Sequence, residues 1–378
     1  MIGNLDTATL QQLWWILCSV VGSLFLFLTF VQGGQTLLFT TARNDEEKNL
    51  MVNSLGRKWE LTFTTLVLFG GALFASFPLF YATSFGGAYW VWILILFTFI
   101  IQAVSYEYRR KPDNFLGQTT YDIFLLINGS VGILLIGAAV GTFFTGSNFT
   151  LNDYNQVMWQ HPWRGLEAAT SGFNLSLGLF LVFLARVLGA MYLTNNIDYP
   201  DLNRRLAKAT LINFIIALPF LLYVLISLLV MDGFGVDPAT GVVSMVKGKY
   251  LQNLLSSPLN PILLLAGLVA VIWGVVSNSF MGKRCGIWSA GMGTVLVGLA
   301  IFSLAAFNNT AFYPSVSDLQ SSLTIYNASS SHFTLTAMTY VAIAIPFVLA
   351  YIFYFWWKMD AQNLTLADLS SADAKEIY

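Results

Sequence analysis

Charge is what this sequence has least of. Only 10% of its 378 residues are Asp, Glu, Lys or Arg, and 56% are hydrophobic, whereas soluble globular domains carry about a quarter charged residues. That excludes an ordinary soluble enzyme. The formal net charge of −1 leaves no global basic field, so a nucleic-acid partner is not expected. Histidine is nearly missing. The two present, His161 and His332, fall in segments read as loops at one side, and no helix carries a His pair, so no metal or redox centre is expected on this chain alone. The two cysteines, Cys18 and Cys285, belong to no CxxC or Cys/His cluster and read as core residues. No Lys or Arg precedes Arg43, so the basic n-region of a cleaved signal peptide is absent and the first apolar stretch is expected to stay as a helix. The glycine pairs Gly70-Gly71 and Gly86-Gly87 lack the strand, Lys and Ser/Thr of a phosphate loop. Close helix packing is the expected reason for Gly70-Gly71. There is no repeat and no low-complexity segment.

What the chain has is long apolar runs. Read against polar breaks, they predict helical spans near 13–33, 61–82, 87–106, 121–144, 165–193, 209–231, 259–277, 284–306 and 335–357, each of a length that crosses about 30 Å of hydrocarbon. The fold class is therefore an all-α polytopic membrane protein with nine transmembrane helices. A single integral-membrane domain, residues 1–359, is expected, followed by a polar tail, 360–378, whose outer part reads as mobile. Arg43, Lys48, Arg57, Lys58, Arg109, Arg110, Lys111, Arg204, Arg205, Lys208, Lys283, Arg284, Lys358 and Lys375 all fall on one side of this arrangement. By the positive-inside rule that side is cytoplasmic, with the N-terminus outside and the C-terminus inside. The longest loops, 145–164, 232–258 and 307–334, then form an outer cap. Trp159, Trp163, Trp356 and Trp357 stand where interfacial anchors are expected.

Ionisable groups are costly in hydrocarbon, so those beside the spans are candidate sites. Glu60 opens the second span, Glu107 closes the third and Asp122 opens the fourth, all at the cytoplasmic rim. Carboxylates gathered in a partly dry site push one pKa upward, which suits a proton-exchanging group. The competing reading pairs them with Arg57, Lys58, Arg109 and Arg110. Arg186, inside the fifth span, either snorkels to the interface or is paired within the bundle. Glu167 belongs to the opposite rim beside Arg164, where a local ion pair is expected.

The stretches RNDEEKNLMVNSLGRKWE, GGALFASFPLFYATSFGGAY and SSLTIYNASSSHFTLTAMTYVA, closing with YFWWKM, resemble in order the second, non-haem subunit of cytochrome bd-type quinol oxidases. The resemblance implies two four-helix bundles, about 13–144 and 165–306, plus a peripheral helix, 335–357. It also implies a haem-carrying partner, subunit I, which holds haems b and d and the quinol-oxidation site, so that this chain binds no cofactor directly. Small single-helix subunits, membrane lipids and a structural quinone are further partners it suggests, in a bacterial inner membrane. The family's Trp-acid pair at the start of the second helix falls on Trp59-Glu60, and its acid is associated with a proton path from the cytoplasm. The family's first-helix acids are replaced here by Leu28 and Val31, and an Arg-Pro pair in the third helix by Gln102-Ala103. Gln32, Gln35 or Gln102, with waters, would have to carry a path past those positions. A stand-alone transporter and a purely structural assembly subunit are the competing functions. The transporter predicts an inverted repeat, and Pro219 and Pro346, which interrupt spans six and nine, do not occupy corresponding halves of one.

Overall fold

The computed structural model describes residues 5–111 and 114–370. Among them nine helical elements are long and apolar enough to cross a membrane: α1 (Thr7–Gln35), α2 (Asp45–Ser76), α3 (Tyr89–Tyr108), α4 (Gln118–Thr145), α5 (Gly172–Asn196), α6 (Pro200–Val230), α7 (Leu259–Ser279), α8 (Gly286–Ala306) and α9 (His332–Met359). Local chemistry sets several ends. The Asp6 side chain accepts from Thr9 N at the start of α1, Asn44 accepts from Glu47 N at the start of α2, and Ser331 accepts from Thr334 N at the start of α9. Each satisfies a backbone donor that the first turn leaves orphaned. Asp45, Glu46 and Glu47 follow Asn44, where carboxylates complement the positive end of the helix dipole.

The spans depart from the predicted ones where backbone chemistry intervenes. The second ends at Ser76, because Pro78 starts a separate short turn, Pro78–Tyr81, that continues as a π-helical stretch, Ala82–Gly87. The fifth begins at Gly172 rather than 165, since Gly165 lies at φ 94° and a 3-10 turn, Leu166–Thr170, precedes the helix. Pro219 sits inside a continuous α6, so span six is not interrupted. Pro346 does mark a break, for α9 divides into His332–Ala342 and Ile345–Met359. Proline removes a helical donor and clashes with the preceding turn, and nearby residues absorb the change.

Helix α5 is the centre of the assembly, with 72% of its apolar window buried. It packs on α4, on α6 and on the end of α1, while α1 also packs on α8 and α2, and α7 packs on α8. Small residues permit this. A Cβ on Gly33 would lie 1.8 Å from the Ala185 carbonyl oxygen, and one on Gly137 would lie 2.5 Å from Gly178 Cα, so α1 and α4 approach α5 backbone to backbone. Gly70-Gly71 has no such role. A Cβ on Gly71 would meet nothing within 4 Å, and Gly70 faces only Phe85. At the other extreme 11% of the α9 window is buried, so the last span stands at the edge.

At the end of the body away from most lysines and arginines, two short hairpins, β1 (Phe149–Leu151) with β2 (Val157–Trp159) and β3 (Gly233–Val236) with β4 (Val243–Val246), build a cap. Bridges Ser147 to Ser315 and Gly235 to Thr310 join the three loops. Beneath them Trp15, Phe77, Phe80, Phe143 and Phe312 form one aromatic cluster, in the edge-on and tilted arrangements that ring quadrupoles favour.

One further expectation is corrected here. Cys285 is exposed, in the short turn between α7 and α8, and only Cys18 is buried. The polar tail begins as docked structure. Leu364 N donates to Asn196 O and Asp198 N donates to Leu364 O, each at 2.8 Å, and Leu366–Ser370 is helical. Lys375 and the outer tail lie outside the described residues.

Candidate functional site

At the basic end, α1, α3 and α4 converge on a file of buried polar side chains. Gln35 Nε2 donates to Tyr106 Oη at 2.9 Å, and one turn deeper Gln32 Nε2 donates to Gln102 Oε1 at 3.4 Å. Beyond them Asn128 Nδ2 lies 3.5 Å from Thr98 Oγ1, which itself donates to Ile95 O. Gln32, Gln35, Gln102 and Asn128 each expose none of their surface. From Tyr106 to Thr98 is eight residues of α3, or about 12 Å of depth.

The local backbone makes this possible. Helix α1 breaks at Thr29 and restarts as Phe30–Gln35, turning Gln32 and Gln35 inward. Helix α4 widens into a π turn, Asn128–Gly132, a distortion that often accompanies functional sites. Gly129 lets the two meet, since a Cβ there would lie 2.2 Å from Gln32 O.

The file is incompletely bonded by protein. Gln32 Oε1, Gln35 Oε1, Gln102 Nε2, Asn128 Oδ1 and Trp59 Nε1 are buried without a protein partner. Buried polar atoms are normally satisfied, by ordered water where the protein supplies no partner. Amides do not titrate, so alone they conduct nothing.

The three rim carboxylates do not share a site. Asp122 is buried and committed: Arg109 Nε donates to Asp122 Oδ1 at 2.6 Å, Lys48 Nζ lies 3.7 Å from Asp122 Oδ2, and Arg109 Nη1 donates to Asn49 Oδ1 at 2.5 Å. This ion pair closes the file at its basic end, a geometry suited to holding helices and not to proton exchange. Glu60 and Glu107 are exposed, and neither makes an ion pair among the described residues. Trp59 is buried beside Glu60 and stacks on Tyr106, with centroids 5.7 Å apart and planes 10° apart. Glu60 thus sits at the surface with Trp59 as the layer between it and the file. Leu28 and Val31 are packed apolar residues, and Leu28 contributes only its carbonyl, which accepts from Thr62 Oγ1 at 3.1 Å.

Arg186 does not snorkel. Its Nε donates to Asn213 Oδ1 at 2.7 Å, and Nη1 donates to Thr36 Oγ1 at 2.7 Å and Thr36 O at 3.1 Å. The guanidinium ties α1, α5 and α6 together through neutral acceptors. The expected Arg164–Glu167 pair is also replaced. Glu167 lies 3.5 Å from His161 Nδ1 and accepts from Gly165 N, while Arg164, at φ 35°, lies over the Tyr89 ring at 5.2 Å. The turn at Gly165 points the two side chains apart. His332 Nε2 meets Leu5 O at 3.0 Å. Both histidines are thus engaged at the cap, each through one ring nitrogen.

Sequence reasoning missed one cluster altogether. Lys58, fully buried, lies 3.0 Å from Asp360 Oδ1, Asn196 Nδ2 donates to the same oxygen at 3.2 Å, and Trp356 Nε1 donates to Asp360 Oδ2 at 2.7 Å. Trp356 is therefore more than an interfacial anchor, since it also packs against Phe27 and Phe30. Trp159 is likewise bound inward, donating to Thr83 O at 3.1 Å, whereas Trp163 and Trp357 are exposed. Position alone could have flagged Asp360, the first acid after a span, and Asn128, a polar residue within an apolar run.

Nine membrane-length apolar elements among the described residues, three of them enclosing a buried polar file, define a multi-pass membrane protein. Residues 10–359 match the model of the cytochrome bd terminal oxidase subunit II family, and the chain belongs to that family. It is a subunit of an oxidoreductase, a bd-type terminal oxidase, of a bacterial inner membrane. Among its relatives, cytochrome bd-I ubiquinol oxidase subunit 2 of Escherichia coli is 28% identical over 367 residues, covering 94% of this chain and 95% of that protein. A cytochrome bd ubiquinol oxidase subunit 2 of Bacillus subtilis is 24% identical over 350 residues, covering 90% and 93%. The structure of bd oxidase from Geobacillus thermodenitrificans shares the fold at a TM-score of 0.55 and 11% identity, over 95% of this chain and 100% of that one.

Proposed function

We propose that this chain is the non-haem subunit of a quinol-oxidising, oxygen-reducing complex. It supports a haem-carrying partner that holds haems b and d, and it conducts protons from the cytoplasm toward them. The basic end is the cytoplasmic end, by the distribution of Lys and Arg. The single domain, 1–359, divides into two four-helix bundles with α9 peripheral. Glu60 is the proton entrance, Trp59 beside it offers its indole N–H to ordered water as a fixed donor, and Tyr106 and water pass protons along the Gln35, Gln32, Gln102 and Asn128 file. Asp122 and Arg109 anchor the mouth, and Glu107 adds negative potential beside it. Quinol is the complex's substrate. An apolar cavity between α1, α5, α6 and α8, lined by Leu26, Leu181, Phe214 and Val297, suits the tail of a lipid or structural quinone.

The observation that carries the reading is the run of buried amide groups with unmet hydrogen bonds at the depth where the family's acids are replaced by Leu28 and Val31. A purely structural subunit has no reason to bury them, because each unsatisfied group costs about 1–3 kcal/mol. The test measures oxygen consumption and proton uptake by the purified complex carrying Gln102→Leu or Glu60→Gln. Both variants are expected to slow turnover, by tenfold or more for Gln102→Leu, with haem content and assembly unchanged. Wild-type turnover and proton uptake in Gln102→Leu would leave the chain a scaffold only.

A further inference from the structure

A second polar cavity, remote from the file, opens at the basic end between the start of α6 and the turn joining α7 to α8. It has a volume of about 600 Å³, and its lining includes Asn203, Arg204, Lys208, Leu211, Asn278 and Arg284. Three cations and no carboxylate line it. Asp201 and Asp198 hold Arg204 and Arg284 from outside, at 3.7 and 2.5 Å, in pairs whose side chains are 41–82% exposed. Exposed pairs of this kind are worth little, so both arginines remain available to an anion. Lys208 makes no ion pair among the described residues. Deeper in the wall Asn203 donates to Ile197 O at 2.9 Å, while its Oδ1 is buried with no partner. A ligand that fills the site therefore brings negative charge for the cations.

The surroundings say which ligand. Leu211 closes the membrane side, and above it α6 presents Ile212 and Ile215, 45% and 56% exposed, with Phe280 69% exposed at the neighbouring helix end. A polar, cationic cleft at a helix end thus continues directly into an apolar face of membrane-spanning length. Basic clefts between transmembrane helices on the cytoplasmic side hold anionic headgroups.

We infer that this cleft binds one anionic glycerophospholipid of the inner leaflet. Its phosphate is held by Arg204, Lys208 and Arg284, and its acyl chains lie along α6. Arginine and lysine divide the work, since the forks match phosphate geometry and the ammonium adds a flexible point charge. The inference uses only the sidedness of the proposed function and none of the proton path.

The experiment takes the intact purified oxidase, strips lipid by detergent exchange, and returns phosphatidylglycerol, phosphatidylcholine or inorganic phosphate. Retained lipid is read by native mass spectrometry and stability by thermal inactivation. Phosphatidylglycerol is expected to be retained and to raise the inactivation temperature, phosphatidylcholine and phosphate to do neither. The Lys208→Gln variant should hold the lipid roughly fivefold more weakly, and Arg204→Gln with Lys208→Gln roughly 30-fold, with oxidase turnover unchanged. Lys208→Arg should retain it. Equal retention of the two lipids, undiminished retention by Lys208→Gln, or the same stabilisation by phosphate alone would each overturn the assignment. Lys208 is exposed and unpaired, so its single replacement decides the matter even if the double variant fails to assemble.

Discussion

Replacing Asp360 by Ala removes an acceptor that three groups share. Lys58 Nζ at 3.0 Å, Trp356 Nε1 at 2.7 Å and Asn196 Nδ2 at 3.2 Å all lose their partner. Lys58 exposes no surface, so its ammonium would be stranded in a dry site. Removing one member of a buried ion pair costs about 3–5 kcal/mol, most of it from the uncompensated charge left behind. The structure sets a ceiling on that cost, because the second half of the last helix, Ile345–Met359, has no buried residues and is tied down around Trp356 and Asp360. When keeping the helix end and tail docked costs more than releasing them, Lys58 rehydrates and the docked residues Asp360–Leu364 come away from α5. Two readings follow, measured on the assembled oxidase. The half-life at elevated temperature falls, and limited proteolysis gains a cut near residue 360. Asp360→Asn, which keeps an acceptor and loses the charge, should lie between Ala and wild type. Adding Lys58→Met to Asp360→Ala should recover most of the lost stability, since apolar packing replaces a buried pair without penalty. Wild-type half-life and proteolysis in Asp360→Ala would refute the buried-pair argument, as would a double variant weaker than the single one.

Other substitutions probe the packing. Arg186→Lys should destabilise the complex nearly as much as Arg186→Ala, by about 2–4 kcal/mol, because an ammonium cannot reach Thr36 and Asn213 with the planar fork that serves both. Thermal inactivation of the two variants checks this, and full rescue by Lys would argue against it. Gly33→Ala should abolish or sharply reduce assembled complex, since its Cβ would lie 1.8 Å from Ala185 O, whereas Gly71→Ala, with nothing within 4 Å, should assemble normally. Overpacking a rigid core costs about 1–3 kcal/mol, and more where backbone meets backbone.

By itself the sequence determined the class and the number of spans. Hydrocarbon demands runs of about 20 apolar residues with internally bonded backbone, a requirement that needs no knowledge of neighbours, so runs such as LTFTTLVLFGGALFASF are readable alone. The resemblance in GRKWE and YFWWKM pointed to the family, and the basic residues sorted themselves by loop. Partnership belonged to the tertiary structure. Glu60, Glu107 and Asp122 look alike along the chain, all acids at helix ends, yet only Asp122 is buried against Arg109, because α3 and α4 turn those two faces together. Gln32, Gln35 and Gln102 are candidates in the sequence already, but which of them meet, and that Asn128 joins them, is decided by a break at Thr29 and a π turn at Asn128. Asp360 reads as the start of a free tail until Lys58, Trp356 and Asn196 close around it. Hydrophobicity is a property of each segment, whereas a hydrogen bond or ion pair depends on which faces meet, and that is decided by close packing of helices far apart in the chain.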